Sequence, residues 1–156
     1  MAIFRPLLLL AVTVAAQATE KTGNNLSYDH FLHSNEPIKC MYGYAASKTG
    51  DHVAALTIFE DCAERFNSVY AMIWLAQIYE TGVAVEQDFA KATAYLKRGA
   101  HTTGDAYDSL AQYHYGVALL EGRGTAKNNE LAAHYLRLAA RDGVEDAASL
   151  LKALEQ

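Results

Sequence analysis

Ala92, Tyr95, Leu96 and Ala100 fall at i, i+3, i+4 and i+8, one face of a helix, with polar residues between them. The same face returns forty residues later at Ala132, Tyr135, Leu136 and Ala140. A third copy, Ala55, Ile58, Phe59 and Ala63, lies 37 residues before Ala92. Each of these helices is preceded by another apolar stretch. Ala71–Gly82 aligns with Ala111–Gly122 at the same forty-residue offset, with Ala71 on Ala111, Ala76 on Gly116 and Gly82 on Gly122. A recurring unit of this length is the mark of a repeat architecture. The unit is a helix, a glycine-containing loop and a second helix.

The punctuation agrees with that reading. Gly82 and Gly122 stand where a helix C-terminus needs a left-handed residue. Asp88 and Asn128 stand where the second helix begins and can accept its free N–H groups. In the first unit a helix over Pro37–Lys48 is expected to turn at Gly50-Asp51, with Asp51 as the next cap. After Gly143, the pattern Ala147, Leu150, Leu151 and Leu154 predicts a C-terminal capping helix. The fold expected over residues 37–156 is therefore all-α: an α-solenoid of about three helical hairpins closed by that helix.

The start of the chain has a different character. Arg5 precedes an apolar run from Leu7 to Ala16, and Ala16-Gln17-Ala18 is a small-x-small cleavage site. Residues 1–18 thus read as a signal peptide, with the mature chain beginning at Thr19. The competing reading is an uncleaved amphipathic or buried helix. The run falls short of the roughly 20 apolar residues a permanent anchor needs. Residues 19–36 read as a polar, flexible lead-in. They hold His30 and His33, a weak candidate for metal, and Asn25-Leu26-Ser27, a glycosylation sequon relevant only in a eukaryotic secretory pathway.

Composition narrows the function. The net charge is −5 with no Lys/Arg block, so the electrostatic footprint of a nucleic-acid binder is missing. The two cysteines, Cys40 and Cys62, flank the Gly50 turn at similar distances, which antiparallel helices would bring side by side. In an exported chain that pattern points to a disulfide, with two buried free thiols as the alternative. A zinc site would need about four ligands. Neither a metal nor an organic cofactor is expected.

These residues resemble the Sel-one-like repeat family, relatives of the tetratricopeptide repeat. The family pattern is carried by Ala71, Leu75, Ala76, Tyr79, Gly82, Val85, Asp88, Lys91-Ala92, Tyr95 and Ala100, then by Ala111, Gly116, Gly122-Arg123-Gly124, Ala132, Tyr135 and Ala139-Ala140. The departures are Ala84, where the second loop glycine is usual, and Tyr115, in place of leucine. The resemblance implies a right-handed superhelix whose members serve as adaptors, scaffolds or inhibitors of other proteins. A cysteine-rich branch of the family resembles penicillin-binding or β-lactam-hydrolysing proteins, but it carries a cysteine pair in every repeat and this chain has one pair.

In such stacks the first helix of each unit lines the concave face. With Leu75, Ala76 and Tyr79 toward the core, Trp74 and Gln77 face the hollow. His114 and Val117 are their equivalents in the next unit, and Met41 and Tyr44 in the first. The predicted partner-binding stripe is Met41, Tyr44, Tyr70, Trp74, Gln77 and His114. The alternative is that Trp74 belongs to the core and the stripe is ordinary packing. No nucleophile elbow, phosphate loop or zinc-helix motif is present, and the histidines are scattered. The reading is a non-enzymatic, exported protein–protein interaction module, periplasmic or secreted. Two other roles fit the same features: an immunity protein against a secreted toxin effector, and a structural part of an envelope or flagellar-motor assembly.

Overall fold

The computed structural model describes residues 28–154. The proposed signal peptide, its cleavage site and the sequon lie outside the described residues. Eight helices follow one another: α1 (Asp29–Leu32), α2 (Lys39–Lys48), α3 (His52–Phe66), α4 (Val69–Thr81), α5 (Phe89–Ala100), α6 (Asp108–Glu121), α7 (Asn129–Arg141) and α8 (Glu145–Leu154). Among the described residues there is no strand. The pairs α2–α3, α4–α5 and α6–α7 form hairpins, each packed on the next, and α8 packs on α7.

The helix boundaries follow from local chemistry. Asp51, Ser68, Asp88 and Asn128 each accept a hydrogen bond from the backbone N–H three residues on, so four helix starts are side-chain capped. Gly82 and Gly122 close α4 and α6 at φ +72° and +70°. Asn67 closes α3 at φ +49°, where no glycine advertises the stop. Its side-chain oxygen accepts from Arg98 Nη2 at 3.1 Å, and Arg98 also donates to the Ala63 carbonyl. One arginine of α5 thus holds the end of α3 across a repeat boundary.

The repeated faces form the core. Ala55, Ile58, Phe59 and Ala63 are fully buried, as are Ala92 and Ala132, and Leu75, Ala76 and Tyr79 lie inside. Small residues set how closely helices approach. A Cβ on Gly43 would meet the Phe59 ring at 2.6 Å, and one on Gly116 would meet Leu136 at 2.9 Å. Gly43, Ala76 and Gly116 occupy equivalent places in successive hairpins. Cys40 and Cys62 are joined in a disulfide, with Cα atoms 5.9 Å apart, tying α2 to α3.

Three details depart from the sequence reading. The helix expected from Pro37 begins at Lys39, because residues 37 and 38 form a turn that leads into it. The lead-in is not uniformly loose. Tyr28 is buried, its hydroxyl lies 3.1 Å from Thr49 Oγ1, and Phe31 stacks on Tyr42 at 3.5 Å. Lys39 fastens this segment: its side chain is fully buried, its ammonium pairs with Asp61 at 2.5 Å and donates to the Leu32 carbonyl at 3.2 Å. The short N-terminal helix therefore covers the open end of the first hairpin, a role that a polar composition conceals. At the other end α8 buries Ala147 but leaves Leu154 46% exposed, so it covers the last hairpin only along its first turns.

Candidate functional site

α4 touches α2 on one side and α6 on the other, whereas the second helices stand further apart. The first helices therefore form one continuous layer, and the stack curves toward it. Side chains at the fourfold and threefold spacing of α4, namely Tyr70, Ile73, Trp74 and Gln77, face out from this layer together.

At the centre is Trp74, half-buried. One face of its ring stacks on the buried Phe59, at 5.9 Å and 4° between planes. Tyr44 of α2 approaches at 5.2 Å and Tyr70 at 6.3 Å. Tyr107, from the loop before α6, continues the row 5.1 Å from Tyr70. Trp74 is thus neither a sealed core residue nor a free one: Phe59 fixes its orientation and its rim is left to solvent.

Two grooves flank it. The first, of about 400 Å³, is lined by Pro37, Cys40, Met41, Phe66, Ser68, Tyr70, Asp105 and Tyr107. The second, of about 350 Å³, is lined by Ile73, Ala76, Gln77, Glu80, Leu96, His114 and Arg123. Of the predicted stripe, Met41 and Tyr70 fall in the first groove and Gln77 and His114 in the second, while Tyr44 and Trp74 form the ridge between them. Met41 is 64% exposed, and its flexible thioether side chain can adapt to a surface laid against it.

The electrostatics of the two grooves differ. In the second, Arg123 bridges Glu80 at 3.2 Å and Glu121 at 2.7 Å. Burial, and then the nearby Arg123 charge, hold the His114 imidazole below its ordinary pKa. In the first groove burial pushes the Tyr70 phenol up, with Tyr107 and Tyr44 adding to the effect. Among the described residues no three His, Cys, Asp or Glu side chains converge as metal ligands.

Sequence reasoning missed Tyr107, Asp105 and Phe66, which reach the groove from loops and helix ends between hairpins, where the repeat pattern carries no face signal. It also missed Arg123 and Glu80. Arg123 lies between the two loop glycines, where a side chain is easily taken for a solvated one. Ile73 was within reach, since it precedes Trp74 on the same face.

Helical hairpins stacked in register with a shared first-helix layer define an α-solenoid. The Sel1 repeat model matches residues 69–101 and 109–144, the spans of α4–α5 and α6–α7. Two of the three hairpins thus match the Sel1 repeat, and α2–α3 is a further hairpin ahead of the matched segments. The Sel1-repeat-containing protein YjcO of Escherichia coli K12 is 29% identical over 136 residues, covering 84% of this chain and 53% of that protein. YjcO of Shigella flexneri matches to the same extent. The chain thus spans about half the length of the curated relatives it matches. Cysteine rich protein B of Helicobacter pylori has a similar fold, with a TM-score of 0.54 at 24% identity over 74% of this chain and 94% of that one. Sel1 repeats generally mediate protein–protein interaction and are generally non-enzymatic.

Proposed function

We propose that this chain is an exported interaction module that docks a segment of a protein partner along the layer formed by α2, α4 and α6. The observation that carries the reading is the aromatic row Tyr44–Trp74–Tyr70–Tyr107, held rigid from beneath by Phe59 and left partly open to solvent. Rigid aromatic side chains lose little conformational entropy on contact and are favoured as interface anchors. The two grooves beside the row offer places for alternate side chains of an extended segment.

Export to the periplasm is part of the proposal. Its support is the N-terminal apolar run with its small-x-small site, together with the Cys40–Cys62 disulfide, which is at home in an oxidising compartment. No helix among the described residues is long and apolar enough to cross a membrane.

Affinity capture from the native envelope tests the docking face. Trp74→Ala and Gln77→Arg, each with an unchanged far-ultraviolet circular dichroism spectrum, are expected to lose the captured partner. Retention of the same partner by both folded variants refutes the assignment.

A further inference from the structure

The first groove has a chemistry that narrows what the docked segment carries. The described residues lining it include the carboxylate of Asp105, the phenols of Tyr70 and Tyr107, Phe66 and Met41, and no Lys, Arg or His. Aromatic faces are electron-rich and attract a cation placed over them, and a carboxylate at the same wall adds a full negative charge. Tyr70 and Tyr107 stand 5.1 Å apart with planes at 52°, forming two angled walls. The Tyr107 N–H donates to Asp105 Oδ1 at 2.9 Å, so the carboxylate is fixed relative to those walls. At the other end of the same aromatic row the chain supplies its own cation, with the Lys48 ammonium 5.3 Å from the centre of the Tyr44 ring. The net charge of −5 favours a basic partner at long range as well.

We infer that this groove receives an arginine side chain from the docked segment, its guanidinium stacked against Tyr70 and Tyr107 and paired with Asp105. Arginine is specified over lysine because a planar guanidinium can lie against a phenol while directing two N–H groups to one carboxylate. The volume of about 400 Å³ admits one such side chain with its stem along Met41, the Phe66 ring being taken by the chain's own Arg65 at 5.5 Å. This inference rests on the docking face proposed above and adds the chemistry of its occupant.

A random peptide display library panned against the intact chain tests it, with binding of each selected peptide followed by the fluorescence of Trp74, the single tryptophan. The selected peptides are expected to carry arginine, and arginine→citrulline within them to weaken binding about fivefold. Asp105→Asn keeps the Oδ1 acceptor of the turn and removes the charge. It is expected to weaken the arginine peptides to a similar extent, and to leave the citrulline peptides unchanged. Peptides that bind through Trp74 but tolerate citrulline, or a library that yields no binder, overturn the inference. If the selected peptides also bind Trp74→Ala and Gln77→Arg undiminished, as measured by titration calorimetry because the first variant lacks the fluorophore, the docking face itself falls.

Discussion

Ala84 sits at φ +68°, in the left-handed region where a Cβ crowds the following carbonyl. Its counterpart in the next repeat is Gly124, at φ +67°. The two loops share one backbone path, and only the second has the residue that adopts it without strain. Ala84→Gly is therefore expected to relieve strain by about 1 kcal/mol, partly offset by the greater freedom of glycine in the unfolded chain. The reverse change is a different matter, because a Cβ on Gly124 would lie 1.9 Å from the Phe89 carbonyl oxygen. Gly124→Ala is expected to be destabilising by several times that amount, since the backbone itself must move. Urea unfolding of the two variants checks both signs; a stabilised Gly124→Ala would contradict the equivalence of the loops.

At the scale of elements, the first hairpin is built differently from the other two. It turns at Gly50-Asp51 without the long loop, and α2 presents a buried Lys39 where α4 presents Met72 and α6 presents Gln112. The disulfide adds a covalent tie between its two helices. In the chain-entropy model, closing a loop of 22 residues stabilises the fold by about 3 kcal/mol. Replacing both cysteines by serine is expected to lower the unfolding free energy by about that amount, with amide exchange in α2 accelerating before that in α4 or α6. A change below about 0.5 kcal/mol would mean that the pair adds nothing to the hairpin. The second helices were legible in the sequence because Asp51, Asp88 and Asn128 act on their own next turn, and their apolar faces repeat at a fixed offset. The N-terminal helix was not legible. Four residues generate no period, and what holds Tyr28, Phe31 and Leu32 is tertiary: a stacked ring and a buried ammonium contributed by α2.

At the scale of the whole molecule, the curvature that matters comes from the small residues. Gly43, Ala76 and Gly116 let each second helix approach its first, and the first helices gather into a layer that exposes Tyr44, Trp74 and Gln77 together. The shared facing of Tyr44, Trp74 and Gln77 could be derived from the sequence because it depends on helix phase, which the repeat fixes. The grooves could not, because Asp105, Tyr107 and Arg123 enter from loops whose paths are set only when neighbouring hairpins pack. The proposed docking face is this layer and not the outer one formed by α3, α5 and α7. Site-specific photocrosslinking measures it directly. With a benzoylphenylalanine introduced at Tyr44 or Gln77, irradiation of intact producing cells is expected to give a discrete crosslinked partner; the same group at the exposed outer positions Ala94 or Lys97 is expected to give none. A partner crosslinked from Ala94 or Lys97 and not from Tyr44 or Gln77 would contradict the account.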